Sequence, residues 1–433
     1  MSDAPRVSVV GAGLAGCEAA DRLTRYGLCV DLYEMKPARR SPAHHADGFA
    51  ELVCSNSLRS DRLENAVGLL KQELRTLDSL ILRCADAARV PAGGALAVDR
   101  ESFSNLVTEA IRENPRIAVH SGEVTELPAP PAIVATGPLT SEALSGRILA
   151  LSGGGLHFYD AAAPVITFDS IDHSVAFRAS RYERGADYLN CPLTREEYFA
   201  FHRALVSAET VPLHGFETPR VFEGCMPVEV MAKRGELTLA YGPMKPVGLT
   251  REGRRPFAVV QLRQDNAAGT LWNMVGFQTN LRFAEQRRVF GMIPGLAHAE
   301  FARYGVMHRN TFLKSPGFLD ANYQVIARPG LYFAGQITGV EGYVESAASG
   351  LLAGAALARQ CLGLPPANVP AATAIGALAH YVSGYQGSDF QPMNVTFGIM
   401  EPLPSPPRGK RERYQAMAQR ALAIVKELKT SLQ

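Results

Sequence analysis

Residues 6–23 read RVSVVGAGLAGCEAADRL, a short apolar strand that runs into a GxGxxG motif and then into a helical pattern. In such a motif Gly11 permits a tight turn, Gly13 lets the backbone approach a pyrophosphate, and Gly16 lets helix and strand pack closely. The next apolar run ends at Glu34, whose carboxylate is placed to accept the hydroxyl groups of an adenosine ribose. The stretch therefore predicts a dinucleotide-binding α/β unit.

Two later segments repeat the pattern of a strand that ends in a glycine turn. Residues 330–336 read GLYFAGQ and lead into a helix of small residues at 344–356, and residues 132–138 read AIVATGP. A second unit more than 300 residues after the first can bring both ends of a long dinucleotide onto one sheet. This arrangement favours FAD over a nicotinamide dinucleotide. Many flavoproteins have Asp after the glycine, and Gln336 can make the same hydrogen bond to a ribityl hydroxyl.

The middle of the chain has shorter strand patterns and turns rich in Pro and Gly, and the runs 258–262 and 274–277 predict strands. We therefore expect an α/β protein with a discontinuous Rossmann-like FAD-binding domain, made of residues 1–138 and 321–433. An α+β insertion domain is expected at 139–320.

The composition limits the classes of partner and compartment. The 433 residues carry 44 Lys and Arg against 42 Asp and Glu, a net charge of +2, so the average charge gives no sign of a polyanion partner. Seven cysteines are too few for a disulfide framework and indicate a reducing compartment. The sequence shows neither a signal peptide nor a membrane-spanning run. We expect a cytoplasmic protein without a membrane association and, since no metal-ligand motif occurs, without a metal.

Basic residues nevertheless cluster locally. Arg251, Arg254 and Arg255 form one cluster, and Arg282, Arg287 and Arg288 form another. Residues 408–433 contain seven basic and two acidic residues. Such clusters are candidate phosphate contacts, although a run of charge is more often a solvated face.

Six short segments carry a family resemblance: VCSNSL at 53–58, RVPAGGALAVDR at 89–100, GCMPVE at 224–229, GPMKPVG at 242–248, YGVMHRNT at 304–311 and GVEGY at 339–343. They resemble the folate- and FAD-dependent tRNA (uracil-5-)-methyltransferases, TrmFO. The resemblance runs nearly from end to end and also extends, in the cofactor core, to the larger MnmG flavoproteins.

The resemblance implies a specific reaction. It implies that 5,10-methylenetetrahydrofolate donates a one-carbon unit, that NADH or NADPH reduces FAD, and that C5 of the T-loop uridine at position 54 of tRNA becomes methylated. The implied partners are tRNA and folate, and no protein partner is evident. Three alternatives stay open: methylation of a ribosomal RNA uridine, oxidation or reduction of a small molecule, and a non-catalytic FAD-bearing RNA-binding protein.

Methylation of uracil at C5 needs a thiol, because C5 is a poor nucleophile until a thiolate adds at C6. Cys54 and Cys225 lie in polar or Gly/Pro-flanked loops, whereas the other five cysteines are expected to be structural. The resemblance assigns the catalysis to these two residues, with Cys225 as the C6 nucleophile and Cys54 as a flavin-proximal thiol or proton donor. The residues alone leave open which does which.

The predicted site also includes contacts to the cofactor. Tyr343 is a candidate to stack on the flavin or on folate, and His308 and Arg309 are candidates for the folate glutamate or an RNA phosphate. The full predicted cofactor-binding set is Gly11, Ala12, Gly13, Leu14, Ala15, Gly16, Glu34, Arg100, Val124, Thr136, Gly137, Gly335, Gln336, Gly342 and Tyr343.

Overall fold

The computed structural model describes residues 5–41, 43–181, 185–212, 226–387 and 389–432. Its strands are β1 (Arg6–Val10), β2 (Cys29–Glu34), β3 (Ser57–Ser60), β4 (Arg89–Val90), β5 (Ala95–Val98), β6 (Ile117–Ser121), β7 (Ala132–Val134), β8 (Gly155–Ala161), β9 (Val165–Thr167), β10 (Phe177–Arg178), β11 (Tyr188–Leu193), β12 (Ala258–Gln264), β13 (Leu271–Met274), β14 (Phe301–Arg303), β15 (Met307–Leu313) and β16 (Leu331–Phe333). Its helices are α1 (Leu14–Arg25), α2 (Ala66–Thr76), α3 (Leu80–Ala87), α4 (Arg100–Arg112), α5 (Glu142–Ser152), α6 (Arg195–Val206), α7 (Val228–Lys233), α8 (Thr238–Tyr241), α9 (Phe283–Phe290), α10 (Tyr343–Cys361), α11 (Ala374–Gly384) and α12 (Lys410–Leu432).

Both ends of the chain contribute to one parallel sheet with the strand order β16-β7-β1-β2-β6. The strands β1, β7 and β16 are short apolar runs, as expected of strands covered on both faces. One hydrophobic core joins residues from 7–148 with residues from 313–432. This architecture confirms the predicted Rossmann-like α/β class.

Helices α1 and α10 pack along each other, and small side chains allow their close approach. A Cβ atom added to Gly350 would lie 2.2 Å from the carbonyl oxygen of Ala15. The run of small residues at 344–356 thus lets α10 lie against α1 as well as against β7 and β16. The helix that carries Tyr343 is thereby fixed relative to the GxGxxG turn.

The middle of the chain forms a six-stranded antiparallel sheet with the order β10-β11-β12-β13-β9-β14 and a core of its own between residues 166 and 296. The predicted strand at 258–262 lies within β12. The prediction of a strand at 274–277 is wrong, because β13 ends at Met274 and the chain turns at Gly276, where φ is +77°. Two smaller antiparallel sheets, β3-β5-β4 and β8-β15, complete the fold. The proposed domain limits at 138 and 321 stay a prediction.

The described ranges contain neither a membrane-spanning helix nor a cluster of metal ligands. Among these residues no helix combines the length and the apolar character that crossing a membrane requires. No three His, Cys, Asp or Glu side chains in the same ranges come together as a metal site would need.

A buried lysine on α2 gives the fold a testable pH dependence. Lys71 is fully buried, its Nζ donates to the carbonyl oxygens of Ser60 at 2.5 Å and Val67 at 3.3 Å, and desolvation lowers its pKa to about 7. Unfolding therefore takes up a proton between pH 7 and the ordinary lysine pKa of 10.5, so stability rises with pH in this window.

We expect the free energy of unfolding of the unmodified protein to increase relative to that of Lys71→Met between pH 7 and pH 9. The increase should reach at most about 1.4 kcal/mol per pH unit. Urea denaturation of both proteins at several pH values measures the difference. An identical pH dependence in the two proteins would contradict a neutral, buried Lys71.

Candidate active site

A cavity of about 1080 Å³, its open mouth included, lies at the carboxyl ends of all five strands of the parallel sheet. It is lined by residues that follow β1, β6, β7 and β16 and by the last residues of β2. Loops at this edge carry the ligand sites of open α/β sheets, because neighbouring connections diverge there and leave a crevice. The position of the cavity therefore follows directly from the strand order.

The GxGxxG turn forms the floor of this first cavity. Gly11 has a φ of +101°, and its N–H donates to the carbonyl oxygen of Tyr33 at 2.8 Å. A Cβ atom on Gly16 would lie 1.8 Å from the carbonyl oxygen of Gly11, so only glycine fits where α1 meets the turn. Helix α1 begins at Leu14, and no side chain caps its N-terminus at Gly13. Its first N–H groups thus suit the pyrophosphate of a dinucleotide.

Glu34 stands beside the turn and is held from two sides. Its Oε2 accepts the N–H of Ala12 at 2.8 Å, and its Oε1 accepts the N–H of Lys36 at 3.0 Å. The side chain lines the cavity and is 8% exposed. A carboxylate oriented in this way still has lone pairs for ribose hydroxyl groups. The turn, the helix N-terminus and Glu34 together fit the adenosine half of FAD.

We expect Glu34→Ala to weaken FAD binding by about 10- to 100-fold, since a charge-assisted hydrogen bond to the ribose contributes roughly 1.5–3 kcal/mol. Titrating the apoprotein with FAD and following flavin fluorescence measures the dissociation constant. Asp31→Ala is the matched control, because Asp31 lies on the same strand but pairs with Arg6 and His120 at the surface. Equal affinity of the two variants would remove Glu34 from the cofactor site.

A second cavity, of about 1260 Å³ with its mouth, adjoins the first. Residues from several loops line both cavities: Val53, Pro138, Leu139, Gln336 and Tyr343. One wall of the second cavity comes from the six-stranded antiparallel sheet, and another comes from the loop that contains Cys54. The two cavities therefore meet at the shared residues.

Tyr343 and Cys54 meet at this junction. The hydroxyl oxygen of Tyr343 accepts the backbone N–H groups of Cys54 at 3.0 Å and Ser55 at 3.2 Å, and it lies 3.0 Å from Cys54 Sγ. With both lone pairs engaged, the tyrosine uses its proton toward the sulfur. Desolvation raises the pKa of Tyr343 well above its ordinary value, so the O–H stays protonated. The contact therefore favours a thiolate at Cys54.

Comparisons with known proteins agree with this geometry. The family model "Glucose inhibited division protein A" matches residues 6–365. Two relatives named "Methylenetetrahydrofolate--tRNA-(uracil-5-)-methyltransferase TrmFO" are similar over nearly their whole length. The protein from Acetivibrio thermocellus is 60% identical over 97% of this chain and 98% of its own, and that from Enterococcus faecalis is 56% identical over 99% of both.

The chain belongs to the TrmFO family. The resemblance found in the short sequence segments is thus confirmed. Two crystal forms of Aquifex aeolicus GidA match the fold with TM-scores of 0.72. They share 15% and 16% sequence identity with this chain, and they cover 99% of it and 74% and 76% of their own chains. At that identity the likeness concerns the fold alone.

Most of the residues predicted to bind the cofactor in this TrmFO family member lie together. Those that line the first cavity are Gly11, Ala12, Gly13, Leu14, Ala15, Glu34, Val124, Thr136, Gly137, Gly335, Gln336 and Tyr343. Gly342 lines the second cavity, and Gly16 lies behind the turn against Gly11. Gln336 donates one N–H of Nε2 to Glu341 at 2.6 Å, so its amide oxygen and its second N–H are the groups that can face a ligand.

Arg100 lies apart from both cavities. Its Nε donates to Asp265 at 3.1 Å, and its Nη1 donates to the carbonyl oxygen of Leu52. It therefore ties the loop before Cys54 to the antiparallel sheet. A direct contact between Arg100 and the cofactor stays a prediction.

Of the two predicted catalytic cysteines, only Cys54 lies within the described residues. Cys54 is half-buried and lines the second cavity. Cys225, with the neighbouring Gly224, lies outside the described residues. His308 and Arg309 lie on β15, which pairs with β8.

Sequence reasoning missed the polar side of the second cavity. Arg263 and Asn273 line it from β12 and β13. In β12 the polar residues Gln261 and Arg263 alternate with apolar ones, a pattern typical of a strand with one solvated face, whereas β13 carries no such signal for Asn273. In the structure that face is covered, and Arg263 is only 7% exposed.

Proposed function

We propose that this protein methylates C5 of the T-loop uridine at position 54 of tRNA. The proposed one-carbon donor is 5,10-methylenetetrahydrofolate, and the proposed reductant is FAD reduced by NADH or NADPH. The observation that carries the proposal is the junction of two cavities at Cys54 and Tyr343, one with a dinucleotide cradle and one large enough for a substrate ring. The name of the relatives supports the folate-dependent methylation of tRNA uracil at C5.

The first cavity would hold FAD. The N-terminal amides of α1 suit its pyrophosphate, Glu34 suits its ribose, and Gln336 with the N-terminus of α10 lies where the two cavities meet. When bound and reduced, FAD supplies the hydride that turns a methylene into a methyl group. The chain's own part is to place this cofactor beside the second cavity.

The protein side of the chemistry is thiol activation. The O–H of Tyr343 donates toward Cys54 Sγ, and the Arg263 guanidinium lies beside Ser55, the next residue. Both features favour negative charge on the sulfur. We propose Cys225 as the nucleophile that adds to uracil C6 and Cys54 as the thiol nearest to the flavin. A reducing compartment such as the cytoplasm keeps both thiols available.

The basic clusters differ in how free they are to contact RNA. Two cations of helix α12 form surface ion pairs, Lys429 with Asp78 at 2.9 Å and Arg411 with Glu64 at 3.3 Å. Arg254 and Arg255 are exposed, and so is Tyr241, at 80%. Exposed cations suit contacts to the phosphates of a nucleic acid. We propose the patch formed by Arg254 and Arg255 as a tRNA contact.

We expect the double variant Arg254→Gln/Arg255→Gln to bind tRNA more weakly. The slope of log affinity against log salt should fall by about 1–2, because each lost phosphate contact removes about one unit. Filter binding at several salt concentrations measures this slope. A range of roughly 50 to 200 mM is suitable, because phosphate contacts weaken strongly over it. Arg147→Gln, at an exposed arginine paired with Glu126, is the control. An unchanged slope would exclude the patch.

The proposed target is tested with transcripts. An unmodified tRNA transcript incubated with protein, methylenetetrahydrofolate, FAD and NADPH should gain one methyl group at the T-loop uridine. A transcript with cytidine at that position should gain none. Methylation of a ribosomal RNA fragment instead of tRNA would favour the paralogue that acts on ribosomal RNA, and consumption of NADPH without RNA methylation would favour a small-molecule oxidoreductase.

A further inference from the structure

One wall of the second cavity is built by a pair of facing residues on the antiparallel sheet. Arg263 on β12 and Asn273 on β13 are directly opposite in the register, so their side chains share one face of the sheet. Both line the cavity, and they are 7% and 3% exposed. The opposite face of the same strands packs into the core of the sheet through residues such as Leu262 and Met274.

The acceptors that Arg263 reaches are all neutral. Its Nε donates to Asn56 Oδ1 at 3.1 Å, its Nη2 donates to Asn56 Oδ1 and Ser55 Oγ at 2.9 Å, and Asn273 Oδ1 lies 3.5 Å from Nη2. Within the described part of the chain, no carboxylate lies within ion-pair distance of this guanidinium. Burial lowers the pKa of Arg263, although an arginine remains charged. A buried cation with neutral partners favours an electron-rich group nearby.

Asn273 adds an unused donor at the same wall. Its Nδ2 is buried and has no hydrogen-bond partner among the described residues. Buried amide groups are nearly always hydrogen-bonded in proteins, because an unpaired one keeps its full desolvation cost. A cation and an unpaired N–H group therefore belong to one wall of the second cavity, next to the loop that carries Cys54.

We propose that Arg263 and Asn273 recognise the carbonyl oxygen of a pyrimidinone ring in the second cavity. The inference rests on the proposed function, whose two substrates, uracil and the pterin of the folate, both contain this ring carbonyl. A guanidinium and an amide N–H are complementary to such an oxygen, as they are in the recognition of bases. The structure thus assigns this wall to substrate binding as well as to holding Ser55 and Asn56.

The wall has a further consequence if the ring is uracil. When a thiolate adds at C6, the sulfur–C6 bond forms and the electron pair of the C5–C6 double bond moves toward the oxygen on C4. No proton moves in this step, and the negative charge develops on the carbonyl oxygen. Donors that are already in place stabilise that charge without reorganisation. If the ring is the pterin, the wall fixes the donor's orientation only.

Asn273→Asp separates ligand recognition from structure. It keeps the shape of the side chain, replaces the unused donor with an acceptor and gives Arg263 a carboxylate partner. We expect the variant to unfold at an equal or higher urea concentration and yet to lose about 10-fold or more in binding or turnover of one substrate. Asn273→Leu is a second variant without added charge, and Gln264→Glu adds the same charge on β12 outside the cavity.

Three measurements distinguish the sources of the carbonyl. Tetrahydrofolate binding without RNA, followed by flavin absorbance, should weaken about 10-fold if the ring is the pterin, with tRNA binding unchanged. If the ring is uracil, tetrahydrofolate binding stays normal, while kcat on tRNA and the rate of the covalent adduct with 5-fluorouracil-containing tRNA fall. Normal values for Asn273→Asp and Asn273→Leu in all three assays would overturn the proposal. A failure of the unmodified protein to methylate tRNA would instead count against the proposed function.

Discussion

Gly16→Ala is expected to unfold more readily than the unmodified protein and to purify without flavin. The new methyl group would lie 1.8 Å from the carbonyl oxygen of Gly11, and this oxygen belongs to the backbone of the turn that faces the first cavity. The helix must therefore move away from the turn, at a cost on the order of 3 kcal/mol or more. Urea denaturation and the flavin absorbance of the purified protein measure the two effects.

Two other glycines serve as matched controls. A Cβ atom on Gly13 meets nothing within 4 Å, so Gly13→Ala should keep the stability of the fold and weaken only dinucleotide binding. Gly146→Ala, on an exposed turn of α5 with open space around it, should change stability by less than about 1 kcal/mol and leave the flavin bound. If Gly16→Ala retained both stability and flavin, the close contact between helix and turn would not be essential.

Cys54→Ala is expected to lower methyl transfer to tRNA by on the order of 10²–10⁴-fold, the range seen when a group that takes part in proton transfer is removed. The fold and the bound flavin should be retained, because Cys54 is only half-buried and lines a cavity. Single-turnover assays with labelled methylenetetrahydrofolate measure the rate. Cys361→Ser, at a half-buried cysteine at the end of α10, is the control and should transfer methyl groups normally.

Tyr343→Phe tests whether the tyrosine hydroxyl activates the Cys54 thiol. It keeps the ring but removes the O–H that lies 3.0 Å from Cys54 Sγ. Because the thiolate loses a donor, we expect the rate to fall and its pH dependence to move to higher pH. An unchanged pH profile would argue against the hydrogen bond as the source of activation. The corresponding Cys225→Ala variant tests the proposed nucleophile, and near-normal turnover would exclude that role.

The sequence predicted the cofactor half of the molecule well, because its signals are local. The turn after β1 and Glu34 at the end of β2 follow from a short motif with fixed spacing. The presence of β16 in the same sheet as β1 was also predicted, since both runs end in glycine turns, whereas its pairing with β7 was not. In a parallel sheet such turns meet at one edge, so the order of motifs already predicts the location of the cavity.

The second cavity was much harder to predict, because it depends on contacts between distant parts of the chain. Arg263 is separated by 207 residues from Asn56, to which it donates, and no local pattern indicates this contact. The alternation in β12 by itself is typical of a solvated face, whereas the loop around Cys54 covers this face. Tyr343 shows the same limitation, since its contact with Cys54 spans 289 residues. Burial by a distant segment reverses the interpretation of a polar strand face.

The most direct test of the proposed reaction follows the one-carbon unit itself. The purified protein is incubated with unmodified tRNA, NADPH, FAD and 5,10-methylenetetrahydrofolate labelled in the methylene carbon, and the tRNA is digested to nucleosides. The proposed function predicts label in 5-methyluridine from the T-loop, in amounts that depend on NADPH and on Cys54. Labelled folate that leaves the tRNA unlabelled, in a preparation that binds FAD and tRNA, would contradict it.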